Sequence, residues 1–323
     1  MTRYLLRRLA VIPIGMLLAH FAGFAYAHLV LPIQLANHPM FASTLVPDPL
    51  IATYAAYWRG VMSGDFGSIP PAGAPALGTV ASAALASFVL LALALLIALL
   101  IGVPLGIKAV RSNGGHIAPW LTALTTAGLA MPGFYIGSLL IMAALWYNIY
   151  GPSGAPFPVQ GPGFDLHLVL PTLVLAARPT AQIAQVSASL MAAEMDKQHI
   201  VTARSVGNSW RRIRRKHAFR NMIAPLAIAV FAALRLTVGE LIIVEWIFSW
   251  PGLGRLLALI LIAPMGVAFD SPLFLHPPTL GAVLAIFAAL FLVGDLASGL
   301  TARLADPALR ADTHGAEEVA SEA

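Results

Sequence analysis

Arg178, Gln182 and Gln185 follow one another at spacings of four and three residues, so a helix carries all three on one face. The chain around them is apolar. Fixed hydrogen-bonding groups in such a setting line a wet path for a polar solute, or they pair with a neighbouring helix and hold it in place. Arg235 and Glu240 pose the same choice further along. Five residues apart, they are poorly placed to bond each other, which leaves Glu240 or Asp295 as a partner for Arg178. A second concentration is basic: residues 197–220 hold eight of the nineteen Lys and Arg. There Val206, Trp210, Ile213 and His217 recur at helical spacing, with Arg211, Arg212, Arg214 and Arg215 on the other faces. Gly207 predicts a turn between two short helices, and Asn221 with Pro225 predicts a break before the next apolar run. An amphipathic helix edged with arginine can dock in a groove of a soluble partner. It can equally lie on a membrane surface, or simply mark the cytoplasmic side and meet anionic headgroups.

Chemistry of other kinds is missing from the sequence. No G-x-x-x-x-G-K-[ST] phosphate loop occurs, and Gly102 to Lys108 has the wrong spacing for one. There is no H-E-x-x-H and no G-x-S-x-G. With no cysteine and nine scattered histidines, neither a catalytic residue nor a metal ligand is expected. His20 and His28 stand two turns apart in the first apolar run without a third ligand and read as packing residues.

The elements that must position these groups are membrane helices. Of 323 residues 59% are hydrophobic and 10% charged, with a mean hydropathy of +0.82. A water-soluble domain averages about 45–50% apolar and about 25% charged. Six apolar runs are long enough to cross: 9–30, 82–107, 119–147, 168–190, 224–247 and 279–302. Helices alone satisfy their backbone in lipid without closing a barrel, so the fold class is an all-α membrane protein. Pro13, Pro104, Pro132 and Pro179 predict kinks. Fifteen of the nineteen basic residues fall on one side if both termini are cytoplasmic, against Arg59 and Arg255 outside. The net charge of +5 therefore reports topology and implies no nucleic acid. Arg3, Arg7 and Arg8 before a run ending Ala25-Tyr26-Ala27 have the layout of a secretory leader. The run continues through Leu29, Val30 and Leu31, so it is read as the first span. Surface helices are expected over 47–58 and 252–262, with Trp58, Trp246 and Trp250 at the interface and a turn at Trp250-Pro251-Gly252.

Thr202-Ala203-Arg204, Gly207, Ile213, His217 and Asn221 resemble the cytoplasmic coupling motif of ABC-importer permeases, the membrane subunits of binding-protein-dependent uptake systems. The stretch from Ile243 through Trp250-Pro251-Gly252-Leu253-Gly254-Arg255 to Leu256 resembles the dipeptide, oligopeptide and nickel branch, in the first of its two unlike permeases. Shorter agreements run from Arg3-Tyr4 through Gly64-Asp65-Phe66-Gly67, Gly102-Val103-Pro104-Leu105-Gly106, Met131-Pro132-Gly133-Phe134 and Leu170-Pro171-Thr172-Leu173 to Asp306-Pro307. The family often has Ala-Lys-Gly where Ser205-Val206-Gly207 stands. Residues 31–80 match poorly, with Val46-Pro47-Asp48-Pro49 only an echo of the family's Pro-Gly-Asp-Pro.

The resemblance implies an ABC type I importer permease fold: a first helix over 1–30, an external region over 31–81, and a five-helix core over 82–302. That core includes a coupling loop at 191–221 and an external loop at 248–278, with a cytoplasmic tail over 303–323 whose acidic, small residues after 310 by themselves predict disorder. It implies a second permease, two ATPase subunits that bind the ATP and Mg, an external binding protein, and a place in the inner membrane. Thr202, Ala203, Arg204, Gly207, Trp210, Arg211, Ile213, His217 and Asn221 would couple to the ATPase. Arg178, Gln182, Gln185, Arg235 and Glu240 would line the path, and Trp250, Pro251, Gly252, Gly254 and Arg255 would form the external loop. Peptide is the implied substrate, with nickel or a metal chelate as the alternative. From the residues alone, a channel or secondary carrier with a lipid-binding basic helix also stays open.

Overall fold

The computed structural model describes residues 2–36, 48–69, 73–111, 115–151, 158–261 and 275–305. The expected tail beyond 310, Asp306-Pro307, and parts of both external regions (37–47 and 262–274) lie outside the described residues. In chain order, α1 (Thr2–Ala36) is followed by α2 (Leu50–Met62), and Ser68–Ile69 pairs antiparallel with Ala74–Pro75. Then come α3 (Ala76–Ile97), α4 (Val103–Ala109), α5 (Pro119–Ala130), α6 (Gly133–Tyr150) and α7 (Val169–Met195). The chain goes on with α8 (Gln198–Ser205), α9 (Trp210–Arg212), α10 (Phe219–Ile247), α11 (Leu253–Leu261) and α12 (Pro277–Ala305).

Among the described residues five helical runs are long and apolar enough to cross a membrane: Arg8–Ile33, Ala76–Ala109, Gly133–Tyr150, Trp210–Ile247 and Pro277–Leu304. α7 is not one of them, although its 27 residues would reach across. Arg178, Gln182 and Gln185 lower its apolarity, and it can hold them because it is the central helix. α3, α4, α5, α6 and α10 all pack on it. α1 lies along α12, which packs in turn on α10.

Pro132 and Pro225 act differently from expectation. The single kinked span expected over 119–147 is two helices. Met131 takes an extended ψ of 121° and Pro132 one of 142°, so α5 stops and α6 starts afresh. The ring of Pro132 disfavours helical geometry at Met131. Pro104 cannot give an N–H to Leu100, and the turn before it, Ala98–Gly102, widens to a π turn that keeps α3 and α4 continuous. The break expected at Asn221 and Pro225 is absent. The helix runs from Trp210 through a π turn at Ile213–Ala218 into α10, with Pro225 inside it. Asn221 signals a break when its side chain competes for its own backbone. Here its amide donates instead to Glu194 Oε2 at 3.2 Å.

Glycine permits a close approach of α4 to α7. A Cβ at Gly106 would lie 2.3 Å from the Ala184 carbonyl and 2.7 Å from Ser187 Cβ, and one at Gly102 would lie 2.9 Å from the Thr180 carbonyl. Small residues spaced by four let the backbones of α4 and α7 touch, which is how helices associate without a hydrophobic driving force.

Candidate functional site

On α7, Arg178 and Gln182 are half-buried and Gln185 is exposed, on one stripe. Arg178 forms an ion pair with Glu240 of α10. The other carboxylate oxygen of Glu240 is buried without a partner, 3.1 Å from where a Cβ on Gly133 would stand. Gly133 opens α6, so the break at Pro132 delivers a helix N-terminus, with its partial positive charge, to the carboxylate. The structure thus brings together Arg178, Gln182, Gln185 and Glu240. It does not bring Arg235 to them. Arg235 donates to Asp295 of α12 at 3.1 Å, and Asp295 also pairs with Arg8 of α1. That cluster ties α1, α10 and α12 together. Beside the stripe, α5 and α6 bury only Leu121, Thr125, Gly133 and Gly137, and their remaining surface is uncovered or half-covered.

The basic segment begins where α7 ends. Glu194 accepts from Lys197 and from Asn221, joining α7, the start of α8 and α10. α8 closes at Gly207, whose φ of +83° suits glycine and brings Gly207 N to the Arg204 carbonyl at 3.0 Å and Asn208 N to that of Ala203 at 3.2 Å. Ser209 then caps the next helix, its hydroxyl accepting from Arg212 N. Arg204 stacks over the Trp210 ring across this turn, 4.9 Å from its centroid. The two expected helices therefore exist, with a correction in their faces. Ile213 is 0% exposed and Ala203 8%, packed with Ile200, Ala218, Met222 and Met191 inside the chain. Val206 precedes the turn and does not share the stripe of Trp210; it is 74% exposed, and Val201 is 64% exposed. Thr202, Arg204, Gly207 and Arg211 face outward, Asn221 is exposed but turns its amide to Glu194, and Trp210 and His217 are half-buried.

The external loop is anchored rather than free. Trp250, expected at the membrane interface, is 0% exposed and donates from Nε1 to the Ala86 carbonyl at 3.2 Å. The buried Glu245 carboxylate accepts from Ser87 Oγ at 2.6 Å, Gly254 N at 2.6 Å and Arg255 N at 3.3 Å. Ser87 Oγ in turn accepts from Leu253 N at 2.8 Å. A Cβ on Gly252 would fall 2.1 Å from Glu245 Oε1, and one on Gly254 would fall 2.4 Å from Ile242 Cα. Pro251 is half-buried, and Arg255 turns back to the Ser249 carbonyl at 2.8 Å. Sequence reasoning passed over Glu194, where a carboxylate ending an apolar run was the available signal, and gave Glu245, near the outer end of its span and within the motif from Ile243 to Leu256, no role.

Among the described residues no three His, Asp or Glu gather as a metal site. The arrangement is an α-helical membrane body with a polar stripe on an uncovered side and a basic lobe at one end.

The family model described as binding-protein-dependent transport system inner membrane component matches residues 98–311. The chain belongs to that family, a multi-pass component of the inner membrane and a transport subunit rather than an enzyme. It is similar to the oligopeptide transport system permease protein AppB of Bacillus subtilis (strain 168), 29% identical over 80% of either chain. It is 27% identical to the dipeptide transport system permease protein DppB of Escherichia coli (strain K12), over 79% of this chain and 86% of the other. Against the glutathione transport system permease protein GsiC of Salmonella paratyphi A (strain ATCC 9150 / SARB42) it is 26% identical over 96% and 99%.

Proposed function

We propose that this chain is one of two unlike permeases in an ATP-driven importer of peptides. Six helices cross the membrane, α7 being the sixth, and both termini with the basic loop are cytoplasmic, as the distribution of Lys and Arg requires. Residues 82–302 form the transport core, with 1–30 on its periphery, 31–81 outside and 303–323 as the tail. The single observation that carries the reading is the stripe of Arg178, Gln182 and Gln185 with Glu240, set beside the uncovered surfaces of α5 and α6. A second permease closing over that side turns the stripe into a path. A peptide presents an ammonium, a carboxylate and amides, and the stripe offers a carboxylate, a guanidinium and amides in return. Relatives named for oligopeptides, dipeptides and glutathione favour this over nickel or a chelate.

Coupling falls to the outward residues of the basic lobe: Thr202, Arg204, Val206 and Arg211 meet an ATPase subunit, which carries the ATP and Mg. Ala203 and Ile213 stand behind them as support. The anchored loop from Trp250 to Arg255 gives the external binding protein a rigid seat. The test is reconstitution. The tagged chain should bring down a second permease and two ATPase chains, and the proteoliposomes should take up labelled dipeptide only with ATP and binding protein. Uptake by this chain alone, without nucleotide, overturns the proposal. Val206→Asp should lower ATP-driven uptake at least about tenfold at unchanged membrane levels, since a buried unpaired charge at an interface costs several kcal/mol.

A further inference from the structure

A groove of about 550 Å³ lies between α4 and the helical run that starts at Trp210. Its floor is apolar, made by Val103, Pro104, Ile107, Trp210 and Phe219. Lys108, Arg211, Arg214 and Arg215 stand around it. Each wall contributes residues four apart, 104 and 108 from α4 and 211 and 215 from the run that starts at Trp210. Among the described residues Lys108, Arg211 and Arg215 have no acidic partner, and Nε of Arg214 is buried without a hydrogen bond. Arg214 is held in place by donating to the Val110 carbonyl. The Glu194 carboxylate, at the end of α7, is already occupied by Lys197 and Asn221.

We propose that this groove binds an anionic phospholipid of the inner leaflet, its phosphate among Lys108, Arg211, Arg214 and Arg215 and an acyl chain along Val103, Pro104 and Ile107. The floor continues into the run Ala76–Ala109, which crosses the membrane, and the cations begin where that run ends. An apolar surface that passes into cations at the edge of the bilayer is complementary to an anionic lipid, acyl chain and headgroup together. Of the residues assigned to the ATPase, Thr202 and Arg204 of α8 and Val206 just after it lie outside the groove lining, so lipid and ATPase share Arg211 alone. The inference rests on the cytoplasmic placement of the basic lobe and is independent of which solute is carried.

The test uses the assembled complex in vesicles of phosphatidylcholine, with or without phosphatidylglycerol, followed by gentle extraction and native mass spectrometry. The complex should retain phosphatidylglycerol and not phosphatidylcholine. Each cation near an anionic headgroup contributes roughly fivefold to affinity, so the Lys108→Gln/Arg215→Gln double variant should bind about 30-fold more weakly. Lys108→Arg/Arg215→Lys, which keeps both charges, should retain the lipid and controls for misfolding. Equal retention of both lipids overturns the proposal, as does undiminished phosphatidylglycerol on the neutralised variant. Displacement by millimolar glycerol phosphate would make the groove a free-phosphate site, and a cross-link from Lys108 to the ATPase subunit would make it a protein interface; either result also overturns it.

Discussion

Glu245→Gln changes one atom type at a place where every neighbour is chosen for a carboxylate. Ser87 and two backbone N–H groups at the start of α11 all donate to Glu245, and a glutamine amide would turn a donor toward one of them. Charge-assisted bonds in a buried site lose on the order of 3 kcal/mol when one partner is spoiled. The variant should therefore reach the membrane at reduced level and melt at lower temperature in detergent, while Glu245→Asp, with its shorter reach, should fall between. A melting curve unchanged by Glu245→Gln would show that the loop does not depend on this staple. Gly207 is a milder case. Open space surrounds its missing Cβ, so Gly207→Ala meets only the cost of a left-handed backbone, about 1 kcal/mol. If the basic lobe couples to an ATPase as proposed, the variant should hydrolyse ATP out of step with uptake.

The helices meet where side chains are absent. Gly102 and Gly106 on one side, and Thr180, Ala184 and Ser187 on the other, let α4 reach the backbone of α7. Gly106→Ala would press a methyl group to 2.3 Å from a carbonyl oxygen that helix bonding fixes in place. Overpacking of this kind costs roughly 1–3 kcal/mol. Accumulation in the membrane should drop, and because α4 carries Lys108, lipid retention should drop with it. Ala substitution at Gly239, where nothing lies within reach, is the control expected to be silent. The same small-residue logic holds α1 on α12, where a Cβ at Gly23 would lie 3.1 Å from Gly281 Cα.

For the whole molecule, the decisive test concerns the ion pair. Arg178→Ala leaves the Glu240 carboxylate with only the α6 N-terminus for company, so it should harm both assembly and uptake. Arg178→Gln/Glu240→Gln removes both charges and spares that penalty. If the stripe is a path, the double variant assembles with its partners yet takes up peptide at least about tenfold more slowly. Normal uptake by the assembled double variant would mean that the pair only holds α7 to α10. Arg235→Gln, whose residue bonds Asp295 away from the stripe, should affect stability without changing which peptides are carried.

Membrane class, most of the apolar runs and the basic lobe were legible because they rest on local properties: runs of apolar residues, the placement of Lys and Arg, and a glycine at a turn. The polar spacing on α7 was legible for the same reason, since 178, 182 and 185 share a face in any helix. Tertiary structure alone decided which polar groups meet. Glu240 turns to Arg178 and Arg235 to Asp295 because α10 packs between α7 and α12, and no spacing along one helix encodes that choice. It also turned Ala203 and Ile213 inward and drew Trp250 under the external loop. A helical period shows that residues share a face, but what covers the face depends on helices distant in sequence. Proline behaved likewise: Pro132 broke its helix and Pro225 did not, since the outcome depends on whether neighbouring packing and a side chain such as Asn221 leave the backbone another partner.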